Sequence, residues 1–186
     1  QGPWDVSGET VLTGDFSRLS KPGTYTIRLN TGRVSVPFKI NKGIWGPALN
    51  ASIKSFYYQR ASMAIEEPYG GNWHRASGHP DDQCLYHPSS GKTGGTLNSP
   101  GGWYDAGDYG KYVVNAAISA GQMLNLFEIY PEAAGDQLNI PESGNGIPDL
   151  LDEIRYELDW VKTMQDEDGG VFHKLTALDF ADFIMP

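Results

Sequence analysis

The sequence predicts a mostly α-helical chain that opens with a short β-rich segment. Three observations carry that expectation. Strand-length apolar runs fill the first forty residues, helical periodicity takes over after Ile40, and a long aperiodic segment separates the first helix from the next two.

The β segment comes first. Glu9–Leu12, Tyr25–Leu29 and Val34–Ile40 alternate or run apolar, with turn signals at Lys21-Pro22-Gly23 and Asn30-Thr31-Gly32. Three short strands cannot close a sandwich, which takes about seven. The segment is therefore either a hairpin pinned onto something larger or the end of a β-domain that begins earlier, and we favour the second. The boundary falls near Ile40–Trp45, and so short a link predicts that the β segment packs against the helical part of the chain.

Leu49, Ile53, Phe56/Tyr57 and Arg60/Ala61 recur at helical spacing, with Pro47 in the first turn and Pro68-Tyr69-Gly70-Gly71 as the stop. Residues 72–108 then show no period. A loop this long is functional or disordered, and Trp73, Tyr86, Trp103 and Tyr104 argue against disorder. A second helix is predicted from Gly110 to Tyr130, its stripe being Val113, Ala116/Ala117, Ala120, Leu124 and Phe127. A third runs from Pro148 to about Met164, with Ile147, Leu150/Leu151, Ile154, Leu158 and Val161 on its buried face. Asp152, Glu153, Arg155, Glu157 and Asp159 fall mostly outside that stripe and predict a solvated face. The last residues, Ile184-Met185-Pro186, are apolar, and a domain is expected to continue beyond such a sequence.

Composition excludes several classes of function. The 186 residues carry a net charge of −9, which disfavours nucleic acid, whose phosphates are bound by clustered Lys and Arg. No apolar run approaches the roughly 20 residues of a membrane-spanning helix. The one cysteine, Cys84, rules out an internal disulfide framework.

Chemistry concentrates in Gly101-Gly102-Trp103-Tyr104-Asp105-Ala106-Gly107-Asp108-Tyr109-Gly110-Lys111-Tyr112. Asp105 and Asp108 end a glycine-rich loop just before a helix, whose N-terminus favours ionised carboxylates. Two neighbouring carboxylates can hold one water, and an ionised one can take its proton as general base. Trp103 offers a flat face to a sugar ring. The plainer alternative is that Asp108 is an N-cap and Asp105 a turn residue, because both positions favour Asp. His173 on its own reads as a partly buried, satisfied histidine.

The twelve-residue string resembles the signature of glycoside hydrolase family 9, the inverting β-1,4-glucanases that include many cellulases. Phe56–Ala61 (FYYQRA), Gly78–Asp81 (GHPD), Asn139–Glu153 (NIPESGNGIPDLLDE), Trp160–Asp166 (WVKTMQD) and Gly169–Thr176 (GGVFHKLT) come in the family's order. The resemblance implies residues 42–186 to be the N-terminal portion of a six-hairpin (α/α)6 barrel. Residues 1–41 resemble the last strands of the immunoglobulin-like β-sandwich that precedes the catalytic domain in one subgroup. It implies Asp108 as general base, Asp105 as its partner in holding the water, His173 near the scissile sugar, and Trp103 and Tyr104 in the cleft wall.

Inverting hydrolysis also needs a general acid, about 6.5–9.5 Å from the base. The family's glutamate lies near the end of its catalytic domain, and no position here matches it. Glu128, Glu132 and Glu142 flank helices without a corresponding motif. The chain therefore resembles a fragment, expected to be inactive and not stably folded by itself, whose chief partner is the remainder of the catalytic domain.

His74, His79, Cys84 and His87 share the long loop, but only Cys84–His87 approaches zinc-ligand spacing. Some relatives bind zinc here through cysteines at positions that hold Ala61 and Gly78 in this chain, so zinc is not expected. Structural calcium is common in the family, though no D-x-D-x-D loop is present to hold it. No cofactor is needed for the chemistry. The expected activity is inverting hydrolysis of cellulose or a related β-1,4-glucan, in a secreted protein because the substrate is insoluble. Two alternatives are an exo-glucosaminidase acting on chito-oligosaccharides and a carbohydrate-binding protein without catalysis.

Overall fold

A computed structural model describes residues 6–11, 13–133, 137–180, 182 and 184. Leu12, which closes the first expected strand, and Met185-Pro186 at the apolar end lie outside them. The chain divides into two compact units, Gln1–Gly46 and Pro47–Pro186.

The first unit holds an antiparallel hairpin. Strands β1 (Gly23–Tyr25) and β2 (Phe38–Ile40) pair with Gly23 opposite Ile40 and Tyr25 opposite Phe38. The predicted strands are longer than this ladder. The Ile27 N–H donates to Ser35 Oγ at 2.9 Å, which interrupts the pairing and leaves Arg28–Val34 as an isolated bridge. The turn forms at Asn30-Thr31-Gly32 as the sequence predicts, with Gly32 at φ +83° and its N–H on Leu29 O. Phe38 packs against Phe16 and Tyr25 at ring-centroid distances of 5.4 and 6.4 Å.

The second unit is built on three helices: α1 (Gly46–Tyr58), α3 (Val113–Ile129) and α4 (Asp149–Thr163), with a single-turn α2 (Glu67–Gly70) after the first. Its sheets are two-stranded: β3 (Cys84–Leu85) with β4 (Thr96–Leu97), and β5 (Lys111–Tyr112) with β6 (Lys174–Leu175). The core joins Ile53 and Tyr57 of α1, Ala120 and Met123 of α3, and Leu150 and Ile154 of α4, with Ile65, Leu138, Ile140 and Trp103 from the connections. A smaller cluster of Ala116, Trp160 and Met164 continues it. Each fully buried aliphatic side chain contributes about 1.5–3 kcal/mol. No helix among the described residues is long and apolar enough to cross a membrane.

Four local expectations are corrected. The first helix ends at Tyr58 and not at the Pro68-Tyr69-Gly70-Gly71 stop, because Gln59–Ala61 leave the helix to pair with Gly102–Tyr104. The second helix starts at Val113 rather than Gly110, because Lys111 and Tyr112 pair with Leu175 and Lys174. Its buried stripe is rotated: Met123 is in the core, while Leu124 is 43% exposed.

The fourth correction is larger. The acidic face of α4 is not solvated: Asp152, Glu153 and Glu157 are buried with Asp149, and only Arg155 and Asp159 of the predicted set reach solvent. Buried charge is tolerated only when paired or hydrogen-bonded. Glu153 and Glu157 find partners in distant chain, Arg60 and the Trp103 N–H, while Asp152 is held by nearby Asn145 and Arg155.

Candidate active site

The glycine-rich string is fixed from both sides. Gly101 and Gly102 take φ of +83° and +78°, and a Cβ on Gly102 would lie 2.6 Å from Cγ of Trp160. Only glycine meets both conditions. Backbone bonds from Ala61 N to Gly102 O and from Tyr104 N to Gln59 O, both 2.8 Å, lay the segment along the end of α1.

Buried Lys111 closes the turn from below. Its ammonium donates to Ser99 O at 2.9 Å and Gly101 O at 2.7 Å, and pairs with Asp81 at 2.8 Å. Burial lowers the Lys111 pKa, with Asp81 opposing.

Trp103 is clamped by α4. Its backbone N–H donates to Glu157 Oε2 at 2.6 Å and its indole N–H to Glu153 Oε1 at 2.8 Å, while its ring packs on Phe56 at 4.6 Å. Glu153 also binds Arg60, which reaches Glu142 as well. Burial opposes the Arg60 charge, but the two carboxylates outweigh it and raise its pKa. Burial pushes Glu153 up and Glu157 up to about 8. Glu157 Oε1 has no hydrogen-bond partner among the described residues.

Beyond Tyr104 the chain makes a tight reversal. Asp105 N–H donates to Gly110 O at 2.9 Å and Tyr109 N–H to Ala106 O at 3.0 Å, with Tyr109 strained at φ +56°. Asp105 is exposed and accepts from Asn115 Nδ2 at 2.6 Å. Asp108 is half-buried; its Oδ2 accepts from the Tyr112 hydroxyl at 3.2 Å and its Oδ1 from Gly110 N–H at 3.4 Å.

Asp108 is therefore not a helix cap. The N-cap of α3 is Tyr112, and no side chain caps that end. The helix begins five residues after Asp108, so side-chain donors act on the carboxylates where the sequence suggested the helix terminus. A depression of about 240 Å³ is lined by Asp105, Asn115, Tyr112, Trp103, Gln59 and Glu157 among others; Asp108 is not among its lining residues.

His173 is exposed, not the partly buried histidine of the plainer reading. Its carbonyl accepts from Val113 N–H at 3.1 Å, extending the β5–β6 pair. That pair brings His173 beside Tyr112, the residue that touches Asp108. Trp103 and Tyr104 are only 6% and 4% exposed, so neither offers an open platform. The Tyr104 ring packs against His79 and Tyr109, and burial pushes its phenol up to about 12.

The loop histidines bind locally. His74 Nδ1 lies 2.9 Å from Gly71 O, and His87 Nδ1 2.8 Å from Ser89 Oγ. Burial, then Asp81, raises the Cys84 thiol pKa. Positions 61 and 78 adjoin, Ser62 N–H donating to Gly78 O at 3.0 Å, but Ala61 and Gly78 supply no side-chain ligand. No group of three or more His, Cys, Asp or Glu side chains able to hold a metal occurs among the described residues. The residues that sequence reasoning missed are Arg60, Lys111, Tyr112, Asn115, Glu153 and Glu157. Lys111 and Tyr112 stand inside the motif, and the i, i+4 spacing of the two glutamates places them on one helix face.

The protein-family model for glycosyl hydrolase family 9 matches residues 45–182. The chain is 48% identical over 186 residues to a xyloglucan-specific endo-beta-1,4-glucanase of Bacteroides ovatus, covering 97% of this chain and 31% of that protein. It is 38% identical over 182 residues to endoglucanase D of Acetivibrio thermocellus, covering 96% and 29%. A crystal structure of a metagenome-derived glycoside hydrolase family 9 endoglucanase matches with a TM-score of 0.85 at 41% identity, covering 100% of this chain and 34% of that one. The chain thus spans about a third of the length of these relatives. On the family match and these identities, the chain belongs to glycosyl hydrolase family 9.

Proposed function

We propose that this chain is the N-terminal portion of an inverting glycoside hydrolase that cleaves β-1,4-glucosidic bonds in cellulose or a related β-glucan. The observation that carries the reading is the Asp105–Asp108 pair, two accessible carboxylates on a backbone fixed by α1, α4 and Lys111. Asp108 takes a proton from the attacking water, and Asp105 helps to hold that water. The leaving oxygen is protonated by a carboxylic acid supplied from outside these 186 residues, and attack from the opposite face inverts the anomeric centre. His173 lines the cleft near the scissile sugar, and Trp103 and Tyr104 back its wall.

The same reading takes residues 42–186 as part of an (α/α)6 barrel and residues 1–41 as the last strands of an immunoglobulin-like module. By itself the chain holds the base and not the acid, and it is inactive. The relatives' names support β-glucans as substrates, xyloglucan among them. An insoluble polymer outside the cell implies a secreted enzyme.

The test uses full-length protein containing this chain, on xyloglucan, swollen cellulose and chitosan oligosaccharides, with the product anomer followed by NMR. Release of α-anomeric sugar from a β-glucan is expected, with Asp108→Asn lowering kcat by about a thousandfold or more. An Asp108→Asn enzyme at the wild-type rate would overturn the base assignment. Turnover of chitosan alone would overturn the substrate class.

A further inference from the structure

We propose that Tyr112 and Asn115, at the start of α3, are positioning residues for the carboxylate pair, each aiming one hydrogen-bond donor at one aspartate. The inference rests on the reading of Asp105 and Asp108 as the pair that holds and activates water.

The anchors of the loop stop short of these carboxylates. Arg60, Glu153 and Glu157 fix the backbone as far as Trp103, and Lys111 fixes Ser99 and Gly101. Across residues 105–110 the backbone bonds Asp105–Gly110 and Ala106–Tyr109 shape the turn, and the backbone reaches the aspartate side chains only through a long Gly110 N–H bond to Asp108 Oδ1 at 3.4 Å. Two side-chain donors restrain them: the Tyr112 hydroxyl on Asp108 Oδ2 and the Asn115 amide on Asp105 Oδ1. Asp105 keeps its Oδ2 for further hydrogen bonding, and Asp108 Oδ1 keeps a second lone pair beside its long bond from Gly110 N–H.

The two donors are themselves held. Tyr112 pairs with Lys174 in the β5–β6 ladder, and the Lys174 ammonium lies 5.8 Å from its ring centroid. The Tyr112 ring occupies the space beside Gly110, where an added Cβ would lie 2.9 Å from its Cε2. Burial, then the bond to Asp108, raises the Tyr112 pKa, so the phenol keeps its proton and remains a donor at neutral pH. Asn115 does not titrate. The pair orients; neither residue transfers a proton.

The test compares Tyr112→Phe, Asn115→Ala and the double variants Tyr112→Phe/Asp108→Asn and Asn115→Ala/Asp105→Asn in full-length protein, on cellotetraose, with thermal unfolding as the control for folding. Each single variant is expected to lower kcat about tenfold with KM within about twofold, the signature of orientation rather than binding. Each donor variant should cost nothing further once its aspartate is replaced, because it acts through that aspartate. Equal losses in the presence and absence of the aspartate would overturn the proposal, as would kcat within twofold of wild type in both single variants. Should Tyr112→Phe unfold early, Asn115→Ala at its exposed site decides between the same outcomes. If Asp108→Asn itself retains full activity, the catalytic reading fails, a result distinct from failure of the positioning roles alone.

Discussion

Arg60 and Glu153, 93 residues apart in sequence, meet in a fully buried ion pair at 3.0 Å beneath Trp103. The guanidinium donates to Glu142 from its other edge and stacks 4.3 Å from the Tyr156 ring centroid. The pair joins the end of α1 to α4, and Glu153 passes the constraint to the Trp103 indole. Buried ion pairs stabilise little over apolar replacements, but removing one partner strands the other charge at a cost of about 3–5 kcal/mol.

Arg60→Met is therefore expected to destabilise the full-length protein by that order, with a smaller loss when Glu153→Met is added. Chemical denaturation of the single and double variants measures it. A double variant worse than the sum of the singles would contradict the pairing.

Glu157 gives a pH prediction. Its pKa rises from 4.5 to about 8, chiefly through burial. Between those values the folded state holds a proton that the unfolded state has lost. Stability is then full below about pH 4.5 and declines as pH rises through 8. Melting temperatures at pH 5 and pH 8.5 should show that fall, and Glu157→Gln should reduce it. An identical pH dependence in the variant would show that Glu157 is not its source.

Gly102 is irreplaceable on two counts, its positive φ and its contact with Trp160. Gly102→Ala should lose about 2 kcal/mol or more of stability and most of the activity, since the loop must lift from α4. A variant with the wild-type melting temperature would show that the loop yields freely.

Lys111→Met removes the donor shared by Ser99 O, Gly101 O and Asp81. Leaving the buried Ser99 carbonyl and the half-buried Gly101 and Asp81 acceptors unsatisfied should cost about 1–3 kcal/mol and reduce kcat by loosening the turn that leads to Asp105. Thermal unfolding and steady-state kinetics together check this, and normal values for both would refute the role.

The sequence by itself determined the elements whose signals are local. The hairpin turn at Asn30-Thr31-Gly32, the start of the first helix, the second and third helices within a few residues of both ends, and the Asp105–Asp108 motif all arise from neighbours along the chain. Tertiary structure decided what those residues face. Asp152, Glu153 and Glu157 look like a solvated helix face until Asn145, Arg60 and the Trp103 backbone supply their partners from outside the helix. Lys111 and Tyr112 look helical until Leu175 and Lys174 pair with them as a strand. Asp108 looks like a cap until that pairing delays the helix and leaves the carboxylate to Tyr112. The physical reason is common to all three. Helical period and turn chemistry act within one element, whereas the burial and orientation of a side chain are set by groups outside it, from Asn145 just before α4 to Arg60, 93 residues before Glu153.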